Sequence, residues 1–212
     1  MRTAIIADTH FALAPHMKNI EIPEGDLFIH CGDFDVYKQE HFVAFRKWMK
    51  TLPHKYKVVV PGNHDVFWQG HKNGIIDYKD FILLIHDKIE IEGIKIFGSP
   101  YTLKFNNWAF MYDKEHSNYI WRDVPSDIDV LVTHGPPYRI LDEVTSGPTV
   151  GSHPGCRGLR NKVLEIKPRI HCFGHIHGGS GVMERDGIKF VNASVVDDLY
   201  NDNGRDIMVI DI

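Results

Sequence analysis

Apolar residues arrive in short unbroken runs: TAIIAD (3–8), DLFIH (26–30), KVVV (57–60), DVLVTH (129–134) and RIHCF (169–173). Such near-continuous apolarity predicts strands covered on both faces. Between them the period changes. In KQEHFVAFRKWMK (38–50), Phe42, Phe45, Trp48 and Met49 recur at spacings of three and four, and Leu159, Val163 and Ile166 do the same within 157–166. Both stretches predict helices with one core-facing stripe. The segment 82–98 reads as strands joined by a turn at Glu92–Gly93, and 182–192 and 206–212 read as further hairpin-like strands. The region 99–127 is aromatic and poor in strand pattern, so a long excursion over the surface is expected there. Helices alternate with strands early and strands cluster later. The pattern predicts an α/β fold with two sheets in one domain, 1–212.

Each of the five runs is followed by Asp, His or Asn, mostly beside Gly or Pro. The endings are Asp8-Thr9-His10, Gly32-Asp33, Gly62-Asn63-His64-Asp65, His134-Gly135 and Gly174-His175-Ile176-His177. In open α/β sheets, ligands bind outside the carboxyl ends of strands. One such ending is an ordinary capped turn, but five delivering carboxylate, imidazole and amide groups to one edge predict a single polar cluster.

Composition narrows what the cluster serves. The chain has 212 residues, 43% of them hydrophobic and 25% charged, which is ordinary globular material. The net charge of −4 gives no broad basic field for nucleic acid or an anionic membrane. Basic residues gather in 46–57 and 157–169, where solvated helix faces account for them. The cysteines Cys31, Cys156 and Cys172 form no C-x-x-C pair, so neither a disulfide framework nor a zinc ribbon is expected. No apolar run is long enough to span a bilayer, and the first strand begins near Arg2, too early for a signal peptide. A reducing cytoplasm is the expected compartment. Histidine is the outlier, with 14 in the chain.

Mixed carboxylate and imidazole donors suit Mn, Fe, Zn, Ni or Co rather than the all-oxygen shells of Ca or Mg. The donors exceed one tetrahedral site. They suit two metals about 3.5–4 Å apart that share a carboxylate and leave positions open. Ser99, Ser146 and Ser194 lack the G-x-S-x-G setting of a nucleophile elbow, which excludes a serine triad.

DTH (8–10), GD (32–33), GNHD (62–65), HG (134–135) and GHIH (174–177) together resemble the five motifs of the calcineurin-like metallophosphoesterase superfamily. Wider stretches, KIFGSPYT (95–102), THGPP (133–137) and PRIHCFGHIHGGSGV (168–182), are similar to its metallophosphoesterase-domain-containing branch. Some members of that branch carry Gly in place of the first His of G-H-x-H, which weakens metal binding; here that position is His175. The resemblance implies a four-layer αββα sandwich of two mixed sheets with flanking helices. It also implies two divalent transition-metal ions, manganese foremost. Asp8, His10 and His177 would hold the first metal, Asn63, His134 and His175 the second, and Asp33 would bridge them. His64 would stabilise or protonate the leaving oxygen, held in place by Asp65. The implied reaction is hydrolysis of a small phosphodiester or nucleotide, cyclic nucleotides included, by a hydroxide held between the metals. A phosphomonoesterase, a small nuclease and a weakly active nucleotide-binding scaffold are the competing expectations.

Departures exclude some relatives. FDVYK (34–38) follows Gly-Asp where protein serine/threonine phosphatases have a further Asp-Arg-Gly, and Val36 stands where purple acid phosphatases place a tyrosinate ligand. Repair exonucleases of the superfamily carry a capping domain, for which the chain has no spare length. Tyr101, Phe105, Asn106, Asn107 and Trp108 are candidates for a lid that stacks on a nucleobase. Arg139 is a candidate for reaching a substrate phosphate, and Gly178 to Gly181 are expected to keep the metal edge open.

Overall fold

A computed structural model describes residues 1–204 and 206–212. Two six-stranded sheets dominate it, built on the same plan. The first runs, in spatial order, Met208–Asp211, Arg2–Ile6, Leu27–His30, Tyr56–Val59, Ile82–Ile85 and Gly74–Asp77. The second runs Gly181–Arg185, Ile188–Asn192, Ile170–Phe173, Val130–Thr133, Ile94–Ser99 and Asp87–Ile91. In each, four central parallel strands are flanked by an antiparallel strand on either side.

The unbroken apolar runs follow from this layering, because the central strands are covered on both faces. Ile5, Leu27, Ile29 and Val58 pack inward against Val130, Val132, Ile170 and Cys172 of the other sheet. The alternate residues Ala4, Ile6, Phe28 and Val59 face outward, onto Phe42, Phe45 and Met49 of helix α1 (Gln39–Thr51). On the far side, Leu131, Phe173 and Phe190 pack on Trp121 of α2 (Ser117–Arg122) and on Leu159, Val163 and Ile166 of α3 (Arg157–Ile166). The result is the expected αββα sandwich.

Two local expectations change. The run 82–91 is broken at His86, whose φ of 51° turns the chain out of the first sheet and into the second. The region 99–127 does more than cross the surface. Thr102–Leu103 pairs in parallel with Met111–Tyr112, and Ala109, Phe110, Tyr112 and Trp121 are buried. Strands of two residues are too short to leave a period in the sequence. Among the described residues, no helix is long and apolar enough to cross a membrane.

Candidate metal centre

The five parallel-strand endings converge on one edge, as their order predicts. The chain turns sharply there, with Asp8, His10, Asp33 and His175 at φ of 57°, 42°, 59° and 70°. Left-handed backbone at non-glycine residues persists only where its surroundings over-determine it. They do so here. Asp8 N–H donates to Gly32 O (2.9 Å), His10 N–H to Asp33 O (3.0 Å) and His175 N–H to the Asp8 carboxylate (2.9 Å). The motif glycines permit this crowding. A side chain on Gly62 would collide with Asp33, and a Cβ on Gly32 would lie 2.6 Å from His134 Nδ1.

Two triplets of the expected ligands result, Asp8–His10–His177 and Asp33–His134–His175, and a third, His10–Asp35–His64, shares His10 with the first; each has its donor atoms within 4.8 Å of one another. Hydrogen bonds fix which nitrogen each ring presents. His134 Nδ1–H donates to Cys31 O (2.9 Å), His177 Nδ1–H to Asp197 O (3.0 Å) and His10 Nδ1–H to Asp35 Oδ1 (3.1 Å). Each acceptor can only accept, so the other nitrogen of each neutral ring carries a lone pair. Those lone pairs meet further acceptors. His134 Nε2 lies 2.9 Å from Asn63 Oδ1 and 3.3 Å from Asp33 Oδ2, and His177 Nε2 lies 3.8 Å from Asp8 Oδ1. His10 Nε2 is buried without a hydrogen-bond partner, 3.7 Å from the same Asp33 oxygen. Acceptors converging on acceptors repel unless positive charge sits among them. The donor set therefore fits cations, with outer partners orienting the histidines as in metal sites generally. Asp33 faces both triplets, the position a shared ligand needs.

The charges agree. Burial pushes Asp33 up, but His134, His10 and His64 outweigh it and hold the carboxyl well below the usual range. Burial pushes His134 down, yet the Asp33 charge and hydrogen bond raise it to about 9. A proton and a cation are thus alternatives at His134 Nε2. His175, desolvated and beside His134, is pushed down to about 3 and presents a neutral ring.

His64 lies beside the first triplet, its ring centroid 4.8 Å from that of His10. Its orientation corrects the role expected of Asp65. The Asp65 carboxylate accepts from four backbone N–H groups, those of Asp33, Phe34, Val36 and Gly62, at 2.7–3.2 Å. It ties two motif loops together. The His64 ring is held instead by Tyr37 and Asp35. Tyr37 O–H donates to Asp35 Oδ1 (3.1 Å), so it accepts from His64 Nδ1–H at 2.9 Å. Asp35 Oδ2 accepts from the N–H groups of Ala12 and Leu13. Burial alone would raise Asp35, and hydrogen bonds from His10 and His64 outweigh it. One carboxylate thus orients both a candidate ligand and a candidate acid.

Asp35→Asn should weaken metal binding about 10–100-fold, the usual weight of an outer partner. Tyr37→Phe should keep its metal and lose about 5-fold in kcat, the weight of one hydrogen bond. Calorimetric metal titration and steady-state kinetics on both variants check this; metal loss in Tyr37→Phe alone would contradict the arrangement.

The aromatic loop divides. Trp108 stacks on His64 (centroids 4.3 Å apart, planes at 17°), and Phe105 lies 5.4 Å from the His175 ring. Tyr101 instead donates to Asn73, while Asn106 and Asn107 are exposed. Arg139 is also exposed, with its guanidinium over Tyr138. Gly178 and Gly179 do not leave an open edge. Their missing side chains admit Thr145 and the Leu141 backbone, which fill that space. Asp35, Tyr37 and Tyr200 are the residues missed from sequence. Tyr200 sets its ring 4.9 Å from His10 and 5.7 Å from His177, and nothing in its neighbours signals that.

Known proteins match at the level of both sequence and fold. The calcineurin-like phosphoesterase profile matches residues 1–179. A protein of Emericella nidulans named probable rhamnogalacturonate lyase C is 35% identical over 85% of this chain, but the match covers only 17% of that protein. Human metallophosphoesterase domain-containing protein 1 is 32% identical over 92% of this chain and 66% of its own length. The chain thus spans less than two thirds of either relative. Among solved structures, the phosphopantetheinyl hydrolase of Mycobacterium tuberculosis superposes with a TM-score of 0.60 at 15% identity, over 91% of this chain and 88% of that one. A Thermus thermophilus protein, TT1561, gives 0.54 at 13%, over 90% and 88%. These two likenesses concern the fold alone. With the profile spanning most of the chain, the protein belongs to the calcineurin-like phosphoesterase family.

Proposed function

We propose that the protein is a dinuclear metal-dependent phosphodiesterase of small substrates, cyclic nucleotides among them, with manganese as the preferred metal. The observation that carries this reading is Asp33 Oδ2, which faces lone-pair nitrogens of both triplets, His10 at 3.7 Å and His134 at 3.3 Å. Asp8, His10 and His177 would hold one cation and Asn63, His134 and His175 the other. When bound, the cations polarise the phosphoryl oxygens and make a water nucleophilic near neutral pH. The chain's own residues do the rest. Tyr37 and Asp35 fix the His64 ring with Nδ1–H turned inward, which leaves Nε2 to hold a proton for the leaving oxygen. Trp108 covers one face of that ring and limits its access to water.

Preference for diesters rests on charge. A monoester dianion brings an extra negative charge that phosphatases commonly meet with an Arg fork. Among the described residues, Arg139 and Arg157 both stack on Tyr138 instead. The value of kcat/KM for bis-p-nitrophenyl phosphate should therefore exceed that for p-nitrophenyl phosphate with the same metal. Monoester hydrolysis faster by about tenfold, ~1.4 kcal/mol in barrier, would reverse the assignment.

A further inference from the structure

A cavity of about 540 Å³ opens from the second triplet, sharing His175 with it and lined also by Gly135, the neighbour of His134. We propose that this cavity receives the ester group that stays on phosphorus, and that it selects a bulky apolar group there. The proposal rests on the phosphodiesterase reading above. In that reaction water adds to phosphorus and the bond to the leaving oxygen breaks in line with it. The second ester bond persists in the monoester product. His64, beside the first triplet, attends the leaving oxygen, so the retained group lies off the line of attack. The space available to it is on the His175 side.

The walls say what fits. Phe105, Pro136, Val144, Ile176 and Leu159 supply apolar surface, and the volume is typical of a small-molecule site. Phe105, exposed and 5.4 Å from the His175 ring, forms the wall nearest the metal edge. Lys104 and Lys114 also line the cavity, whereas no described carboxylate does. A ring or long hydrocarbon body suits the cavity, and an anionic tail is tolerated. A cationic tail meets the charge of Lys104 and Lys114 and no lining carboxylate to offset it.

Three diesters with one leaving group test this on the manganese-loaded protein: methyl, phenyl and choline p-nitrophenyl phosphates. The phenyl ester should exceed the methyl ester by about 10-fold or more in kcat/KM, as filling an apolar pocket does. The choline ester should fall below the phenyl ester. Ser152→Trp, which fills the cavity, and Phe105→Ala, which removes its wall, should each bring the phenyl-to-methyl ratio toward unity. Saturation-transfer NMR gives a readout without turnover. The ring protons of diphenyl phosphate should receive saturation from the zinc-loaded protein and lose it in Ser152→Trp. Equal rates on all three esters, or a ratio and ring contacts intact in the variants, overturn the proposal while the phosphodiesterase reading stands. Failure to hydrolyse any of the three removes that reading and this one with it.

Discussion

Asp33→Asn is expected to purify with both metal positions depleted and to hydrolyse bis-p-nitrophenyl phosphate about 10³-fold more slowly, or worse. The magnitude follows because Lewis-acid stabilisation is worth several kcal/mol and each ~1.4 kcal/mol is tenfold in rate. Depletion of both positions follows from geometry, since one carboxylate oxygen faces His10 and His134 alike. Asparagine keeps an acceptor for the His64 N–H, which Asp33 Oδ1 binds at 2.8 Å, and it tolerates the left-handed backbone. The fold should survive, and circular dichroism checks that it does. Asp8→Ala should spare the second position more, because Asp8 belongs to the first triplet only. Metal content measured by mass spectrometry on both variants decides the matter. Two metals per chain in Asp33→Asn would sink the shared-ligand assignment.

His64→Ala should do the opposite: keep its metal and lose kcat. A positioned general acid contributes about 10²–10⁴-fold. The loss should be largest for alkoxide leaving groups and small for p-nitrophenolate, which departs without a proton. That dependence separates proton donation from mere packing under Trp108. If His64→Ala sheds metal as readily as His175→Ala, His64 is a ligand and its role here is wrong.

Much of this architecture was legible in the chain. The predicted helices 38–50 and 157–166 became Gln39–Thr51 and Arg157–Ile166, because a stripe at helical spacing identifies its buried face directly. The polar strand endings met at one edge because parallel strands must end together. What escaped was decided by contacts across long separations. Asp35 sits two residues after Asp33, yet its partners are His10, Tyr37, His64 and the Ala12 and Leu13 amides, a set no local pattern encodes. Asp65 was misread for another reason. The resemblance implies that it holds the His64 ring, whereas its carboxylate turns to the backbone of neighbouring loops. The aromatic stretch 99–127 hid its buried residues because they follow neither a strand nor a helix period.

The left-handed backbone at His175, φ 70°, bears on how such a site decays over generations. At most positions, drift away from a ligand carries a folding penalty that purifying selection can act on. Here glycine adopts the required conformation without strain. Replacement by glycine would therefore delete one ligand while relaxing the chain, and Asp33, Asn63 and His134 would stay where they are. The fold would keep the first triplet whole and leave the second one donor short. Backbone geometry therefore gives no reason of its own to keep an imidazole at position 175, and retention of His175 answers to the cation it would hold.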